Sequence, residues 1–311
     1  MPFSAICRQP LVFAAASCLP AAAGLCLLLT GTPHSAMAQQ KTSSPATISA
    51  ASALSIDAKV WAERAAEAEV AMINGNAYYL RGRMRRTTPE TDQTRDFIES
   101  TDGMVSRTVM DHGRVLSAEK DADERDRLEH LLDNPGEFYR HHRQDQSEKD
   151  RAARLILLMP EAMIYTYAAD QTPAANDPVH AQVVIDYSPD PKFKPPTLEA
   201  DALTGLAGRI WIETDSHHVV RMEGHLIHDV SVGWGLLGCL YKGGAMVLEQ
   251  GDAGGGRWTY THLTENVAIR VVIKTIHLNV ITDWTDFQFL SNPEKFQDAI
   301  HSLLSMPLPA K

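Results

Sequence analysis

Short runs in which apolar and polar residues alternate fill the second half of the chain. This period of two is typical of β-strands with one face on a core and one face toward water. Turn-forming residues separate the runs, as at Asn176-Asp177-Pro178, at Asp215-Ser216-His217 and from Asp252 to Gly256. Strands that follow each other so closely pair antiparallel, because a parallel pair needs a crossover connection. The candidate strands are 163–169, 180–187, 208–214, 218–228, 244–250, 257–265, 268–281 and 284–290.

The first half of the chain contributes a helix and further strands. A helix is predicted from Ile56 to Ile73, ending at Asn74-Gly75-Asn76, with its apolar positions at Ile56, Val60, Trp61, Ala68 and Met72. Residues 77–87 alternate and predict a strand. Asp102-Gly103 lies between two more alternating runs, which indicates a β-hairpin formed by 93–100 and 103–110.

Residues 117–160 differ from the rest in carrying both charge signs densely. We interpret this segment as two or three helices, broken at Asn134-Pro135-Gly136 and ended at Pro160. Such a charge pattern is typical of a solvated helix face with i,i+4 pairs. The chain therefore predicts one α+β domain, with a large antiparallel sheet and a charged helical insert at 117–160.

The first 38 residues have the three parts of a secretory signal peptide. Arg8 is their only charged residue, an apolar run extends from Leu11 to Leu29, and Ala36-Met37-Ala38 is a small-x-small exit. We predict that residues 1–38 are cleaved, that 39–55 form a flexible leader, and that the protein is periplasmic. The apolar run is ~20 residues long, so an uncleaved N-terminal membrane anchor is the alternative.

The net charge and the cysteine content restrict the classes of function and of stabilisation that this chain can have. The formal net charge is −10, and loss of Arg8 on cleavage makes it −11. This charge argues against nucleic-acid binding through phosphate neutralisation. Of four cysteines only Cys239 lies outside the signal peptide, so the mature protein must be held by its core rather than by disulfides.

Sequence motifs for catalysis and metal binding are weak. Ser117-Ala118-Glu119-Lys120 matches S-x-x-K, but no S-D-N or K-T-G follows, and Ser117 is better explained as a helix cap. Histidines at i and i+1, or at i and i+3, point to opposite faces of a strand; His217-His218 lie in a predicted turn and His141-His142 in a charged helix. The histidines considered as metal ligands, together with Asp229, are His141, His142, His217, His218, His225 and His228. We expect no catalytic residue, no metal and no cofactor; a hydrolase would need a histidine and a carboxylate beside a serine or Cys239.

Apolar residues on the predicted strands are the main candidates for a binding site. A strongly curved sheet is not filled completely by two or three helices, and the remaining space would form an apolar pocket. The alternative is that the same residues are ordinary core. The predicted pocket residues are Tyr78, Leu80, Met84, Ile185, Ile210, Ile212, Val220, Met222, Leu226 and Trp258.

The stretch DVSVGWGLLGCLYKGG at 229–244 is nearly uncharged and rich in glycine. One interpretation is an exposed loop in which Trp234, Leu236 and Leu237 contact a membrane or a partner protein. The other is a buried strand, in which the glycines allow a bulge or close packing. The sequence leaves both open.

The order of these elements resembles the bacterial outer-membrane lipoprotein carrier superfamily, which includes LolA-like, LolB-like and RseB-like proteins. The resemblance rests on the element order of an exported chain: an N-terminal helix, strands beginning with YYLRGRM, a helical interruption, and a long antiparallel meander that includes GRIWIETDSHHVVRMEGHL. The segment from Asp229 to Leu237 is similar to a secreted subgroup that brings no established function with it. The resemblance implies a domain at 56–291 that is an open half-barrel covered by helices, followed by a tail at 292–311.

The function implied by the resemblance is non-enzymatic. We expect a periplasmic or outer-membrane-associated protein that carries or senses a lipid or lipoprotein acyl chain in an apolar pocket between sheet and helices. The alternative is an envelope regulatory module, RseB-like, that binds a protein partner and transports no ligand. A peripheral membrane contact is compatible with both.

Overall fold

The computed structural model describes residues 53–74, 79–232, 238–271 and 273–310. The predicted signal peptide, most of the predicted leader, Tyr78, Trp234, Leu236 and Leu237 lie outside the described residues. Ala53, the first described residue, is buried and accepts a hydrogen bond from Trp61 Nε1 at 3.1 Å. The end of the predicted leader is therefore packed against the first helix.

The described residues form four α-helices, one 3-10 helix and thirteen strands. The helices are α1 (Ala58–Asn74), α2 (Ala118–Asp133), α3 (Pro135–Ala162), the 3-10 helix Glu199–Gly205 and α4 (Phe296–Ser305). The strands are β1 (Tyr79–Thr87), β2 (Asp92–Ser100), β3 (Gly103–Asp111), β4 (Arg114–Val115), β5 (Met163–Tyr167), β6 (Gln182–Pro189), β7 (Leu206–Glu213), β8 (Val219–Leu226), β9 (Val230–Val232), β10 (Gly238–Leu240), β11 (Ala245–Asp252), β12 (Trp258–Val271) and β13 (Lys274–Leu290).

All thirteen strands belong to one antiparallel sheet that is not closed. Its order is β4-β3-β2-β1-β13-β12-β11-β8-β7-β6-β5, with β10 beside the C-terminal end of β12 and β9 beside β10. The first strand pairs with the last, so β1 and β13 join the two halves of the chain. The predicted α+β fold with a large, open, half-barrel-like antiparallel sheet is confirmed.

Helices cover the sheet in two separate cores. In the first core, α1 and the C-terminal turns of α3 pack on β5 to β8, β11 and β12. In the second core, α2, α4 and the first turns of α3 pack on Ile98 and Val105 of β2 and β3. Phe97, the neighbour of Ile98, belongs to a cluster that shares Trp284 with the first core. Because successive strand residues point to opposite faces, the two helical layers lie on opposite faces of the sheet.

The charged insert ends later than predicted, and the predicted tail contributes a helix to the core. α3 continues through Pro160 to Ala162, since a proline near the end of a helix removes only one late backbone hydrogen bond. The sequence from Asn292 allows one last short helix, and α4 lies there; its buried face of Phe296, Ala299, Ile300 and Leu303 belongs to the second core. α4 is therefore part of the packed domain.

The last strands also differ from prediction. Instead of 257–265, 268–281 and 284–290, the chain forms two long strands, β12 and β13, which meet at a tight connection between Val271 and Lys274. That connection contains no Gly, Pro, Asn or Asp, so no turn signal marks it. Conversely, Asn266 and Asp283 interrupt the apolar pattern but are paired within the strands, with Asn279 and His262 respectively.

Candidate functional site

A row of apolar side chains crosses the sheet in register and forms the floor of the first core. Each residue is the cross-strand partner of the next, from β5 to β12, before the row reaches Thr282 on β13. Side chains opposite each other on one face lie in contact. The row consists of Tyr167, Ile185, Ile210, Met222, Leu248 and Leu263.

The roof over this floor is α1, aided by α3. Ala62, Ala65, Ala66 and Glu69 follow the i, i+3, i+4, i+7 spacing that places them on one helix face. The short side chains of the three alanines leave a gap above the sheet. This gap is a cavity of about 50 Å³. The roof residues are joined in its lining by Ile156, Met159, Tyr165, Ile210, Val219, Met222, Leu248 and Tyr260.

Glu69 is the one carboxyl group among the described residues that line this cavity. It is 5% exposed and accepts hydrogen bonds from Gln250 Nε2 at 2.6 Å, from the Val219 backbone N–H at 3.4 Å and from the Tyr260 hydroxyl at 3.4 Å. Burial raises the pKa of Glu69 to about 7, against the opposing effect of these three hydrogen bonds. Near neutral pH the site therefore holds both the protonated and the ionised form.

The apolar surface continues beyond the cavity along the same face. The rings of Tyr260 and Trp284 lie 6.3 Å apart, and Trp284 packs against both the first core and the cluster of Leu80, Met84 and Phe97. Tyr260 and Trp284 are both half-buried. An apolar path therefore leads from the cavity on β8 and β11 across β12 and β13 to β1.

The predicted pocket residues are divided among several clusters. Ile210 and Met222 line the cavity, and Ile185 and Ile212 are buried in the same core. Leu80 and Met84 lie at the far end of the apolar path. Leu226 packs with Val230, Leu240 and Ile269 in another cluster. Val220 and Trp258 pack with Val184 and Trp211 beside the segment 168–181, so they do not line this cavity.

A β-bulge explains why Val220 and Met222 separate. Trp211 pairs with Arg221, but Ile212 pairs with Val219, which leaves Val220 as an extra residue. An extra residue shifts the alternation of the strand. Val220 consequently packs with Trp211, whereas Met222 packs with Ile210 in the first core.

Sequence reasoning missed Glu69 as part of the site. The predicted apolar positions of the first helix were Ile56, Val60, Trp61, Ala68 and Met72, but of these only Trp61 is buried. The alanines at 62, 65 and 66 form the buried stripe, and Glu69 continues it by one turn. The sequence did contain a signal for this position, because Glu69 continues the i, i+3, i+4 spacing of Ala62, Ala65 and Ala66 on one helix face.

The other sequence motifs have structural roles. Ser117 caps α2, since its hydroxyl accepts a hydrogen bond from the Lys120 backbone N–H at 3.3 Å. His217 packs on Trp61, and His218 stacks on Trp258 with 5.4 Å between ring centroids. The described residues contain no group of three or more His, Cys, Asp or Glu placed to hold a metal ion. No helix in the described part of the chain is long and apolar enough to cross a membrane.

The segment that contains Trp234, Leu236 and Leu237 is flanked by paired strands. Val232 pairs with Gly238, and Gly238 pairs in turn with Val271 at the end of β12. Cys239, a free cysteine, is buried in β10. The contact predicted for Trp234, Leu236 and Leu237 stays a prediction.

Comparison with known proteins returned no match. No family model, no curated protein and no solved structure matches this chain. The resemblance to the lipoprotein carrier superfamily therefore stays a prediction.

Proposed function

We propose that this chain is a periplasmic or outer-membrane-associated binding protein that carries or senses a lipid or lipoprotein acyl chain between its sheet and α1. The observation that carries the proposal is the in-register apolar row, roofed by the alanine face of α1 with a cavity between them. Ligand sites are concave and mostly apolar with few polar groups, and this lining has that composition.

The cavity must enlarge before an acyl chain can enter. Its volume of about 50 Å³ is far below the roughly 300–1,000 Å³ of pockets that enclose small-molecule ligands. Entry therefore requires α1 and the end of α3 to move away from the sheet. Such openings occur where a ligand binds the open state better than the closed one.

Filling the cavity from the helix side tests the proposal. Ala66→Leu adds bulk to a lining residue while keeping high helix propensity. We expect this variant to stay folded and to bind a fluorescent, uncharged acyl probe at least about tenfold more weakly, a loss of roughly 1.4 kcal/mol. Ala68→Leu is the matched control, because Ala68 lies on the same helix and does not line the cavity.

Native mass spectrometry of protein purified from a Gram-negative periplasm complements this measurement. The proposal expects an acyl-containing adduct that can be extracted with organic solvent. If the protein carries no adduct and takes up no acyl probe, the carrier proposal is wrong. Unchanged uptake by a folded Ala66→Leu variant would place the ligand elsewhere.

The small size of the cavity favours a second candidate, the envelope regulatory module without a transported ligand. In that case the charged surface of α2 and α3 would contact a protein partner. Charge reversal at exposed positions of 117–154 would abolish partner binding, whereas Ala66→Leu would leave it unchanged.

A further inference from the structure

The polar end of the cavity gives the proposed site a specificity that its apolar walls cannot supply. Glu69 projects from α1 into a lining whose other side chains, apart from two tyrosines, are apolar. Its hydrogen bonds come from an amide, a backbone N–H and a phenol, all of them uncharged donors. A polar group of a ligand in this cavity therefore meets Glu69 and two neutral phenols, but no second carboxyl group among the described residues.

The elements packed around Glu69 bring few charges toward it. Tyr260 of β12 and Tyr165 of β5 face the cavity, and burial raises the pKa of both hydroxyls, so they stay neutral. His217 and His218 lie at the turn before β8, and burial lowers the pKa of both. Charged residues on the same elements include Glu63, Arg64 and Glu67 of α1 and Glu213 at the end of β7.

Tyr165 adds a further hydroxyl group to the lining of the cavity. Its ring is half-buried, and its hydroxyl has no hydrogen-bond partner among the described residues. A carbonyl or hydroxyl oxygen of a ligand could accept from this group. The site thus offers a free donor and a carboxyl group, with no cationic side chain in the described lining of the cavity.

We infer that Glu69 selects acyl ligands whose polar group is uncharged, such as an ester, an amide or an alcohol, and rejects ionised fatty acids. The inference rests on the proposed function, because it concerns the ligand of the same cavity. It names Glu69 as a specificity-determining residue rather than a catalytic one.

Electrostatic repulsion is the physical reason. Two carboxylates that share a desolvated site cannot both be ionised without a large free-energy cost, so one must hold a proton. An uncharged oxygen avoids this cost, and it can accept a hydrogen bond from Tyr165 or from protonated Glu69. A fatty acid anion can bind only to the protonated form of Glu69, and that form is lost as the pH rises through 7.

The test compares ligands of equal chain length at two pH values. Dodecanol, dodecanoate and dodecylammonium, each below its aggregation concentration, would displace a bound uncharged acyl probe at about pH 6 and about pH 8.5. We expect the ratio of the dodecanoate to the dodecanol dissociation constant to rise at least about tenfold between these pH values, as expected for one proton taken up on binding. Glu69→Gln should make the ratio independent of pH, whereas the exposed Glu67→Gln should behave like the wild type.

Each outcome bears on the inference. A ratio that does not change with pH in the wild type, or that changes equally in Glu69→Gln, would overturn the role of Glu69 while leaving acyl binding intact. Dodecylammonium as the strongest competitor would overturn it too, since Glu69 would then act as an anionic partner. Failure of the uncharged probe itself to bind would refute the proposed function and, with it, this inference.

Discussion

A buried carboxyl group without a cationic partner favours its protonated form, because the charged form loses its hydration. Glu69 is such a group, with a pKa of about 7 in place of 4.5. In the pH range between these values the folded protein holds a proton that the unfolded chain has released. The stability that this proton provides is complete below about pH 4.5 and is lost as the pH rises through 7.

Glu69→Gln should therefore remove part of the pH dependence of stability. The shift in pKa corresponds to a loss on the order of 3 kcal/mol in the free energy of unfolding between about pH 4.5 and pH 8. Glutamine keeps the size of the side chain and avoids the charge, so the variant should gain stability relative to the wild type at pH 8 but not at pH 5. Urea unfolding at both pH values measures the difference in the free energy of unfolding between the variant and the wild type.

Burial also raises the pKa of Glu265 to about 7, so Glu265 should account for the pH dependence of stability that remains in the variant. An equal difference at both pH values would contradict the assignment.

Residue-level prediction from the sequence depends on uninterrupted alternation. Ile210 and Met222 were predicted as pocket residues and do line the cavity, because they are cross-strand partners on the regular side of the β7–β8 bulge. Val220 was predicted from the same pattern and packs elsewhere, because a bulge falls next to it. A bulge depends on the partner strand as well as on the local residues, so the alternating pattern of one strand cannot locate it.

At the scale of elements, α4 shows how a short terminal helix becomes part of a core. Phe296 stacks on Phe138 of α3 with 4.2 Å between ring centroids. The other end of α4 is held by Arg107 of β3, which is 1% exposed and donates to the Leu303 and Met306 carbonyl oxygens, each at 2.8 Å. Arg107 also pairs with Asp121 of α2 at 2.6 Å. One buried guanidinium thus connects β3, α2 and α4.

Phe296→Ala should destabilise the protein by about 3–5 kcal/mol, the usual cost of removing a fully buried aromatic ring. The exposed His301→Ala on the same helix should change stability little. Because Phe296 belongs to the second core and the cavity to the first, folded Phe296→Ala protein should bind the acyl probe like the wild type. Chemical denaturation and probe titration measure the two effects separately. A loss of less than 1 kcal/mol would show that α4 does not contribute to the core as its packing indicates.

Elements defined by strong local signals were predicted well. The Asp102-Gly103 hairpin and the break at Asn134-Pro135 both occur where the sequence places them. The β12–β13 connection was not predicted, because its residues have no turn preference and only cross-strand pairing fixes its position. The charged side chains of the helical insert were predicted to face water. However, Asp121 accepts a hydrogen bond from Arg107 of β3, and Glu124 accepts one from the backbone N–H of Thr108 of β3. Such long-range partners leave no local pattern.

At the scale of the whole molecule, strand order decides what the first core can bind. Alternation predicted many antiparallel strands, but not that β1 pairs with β13. This pairing places Met84 beside Trp284 and so extends the apolar face beyond the cavity. From β8 to β1 the order β8-β11-β12-β13-β1 spans four strand spacings, or about 19 Å at roughly 4.8 Å each. An acyl chain that starts at Glu69 and follows this face would run past Tyr260 to Trp284.

This path predicts which tryptophan an acyl chain approaches. Acyl chains brominated near the end distant from the polar group should quench Trp284, which lies on the path, and spare Trp211, which packs in the separate cluster with Val184 and Val220. Trp284→Phe should therefore remove most of the ligand-dependent loss of fluorescence, whereas Trp211→Phe should leave that loss unchanged. Quenching that persists in Trp284→Phe, or that is reduced in Trp211→Phe, would mean that the chain takes another direction.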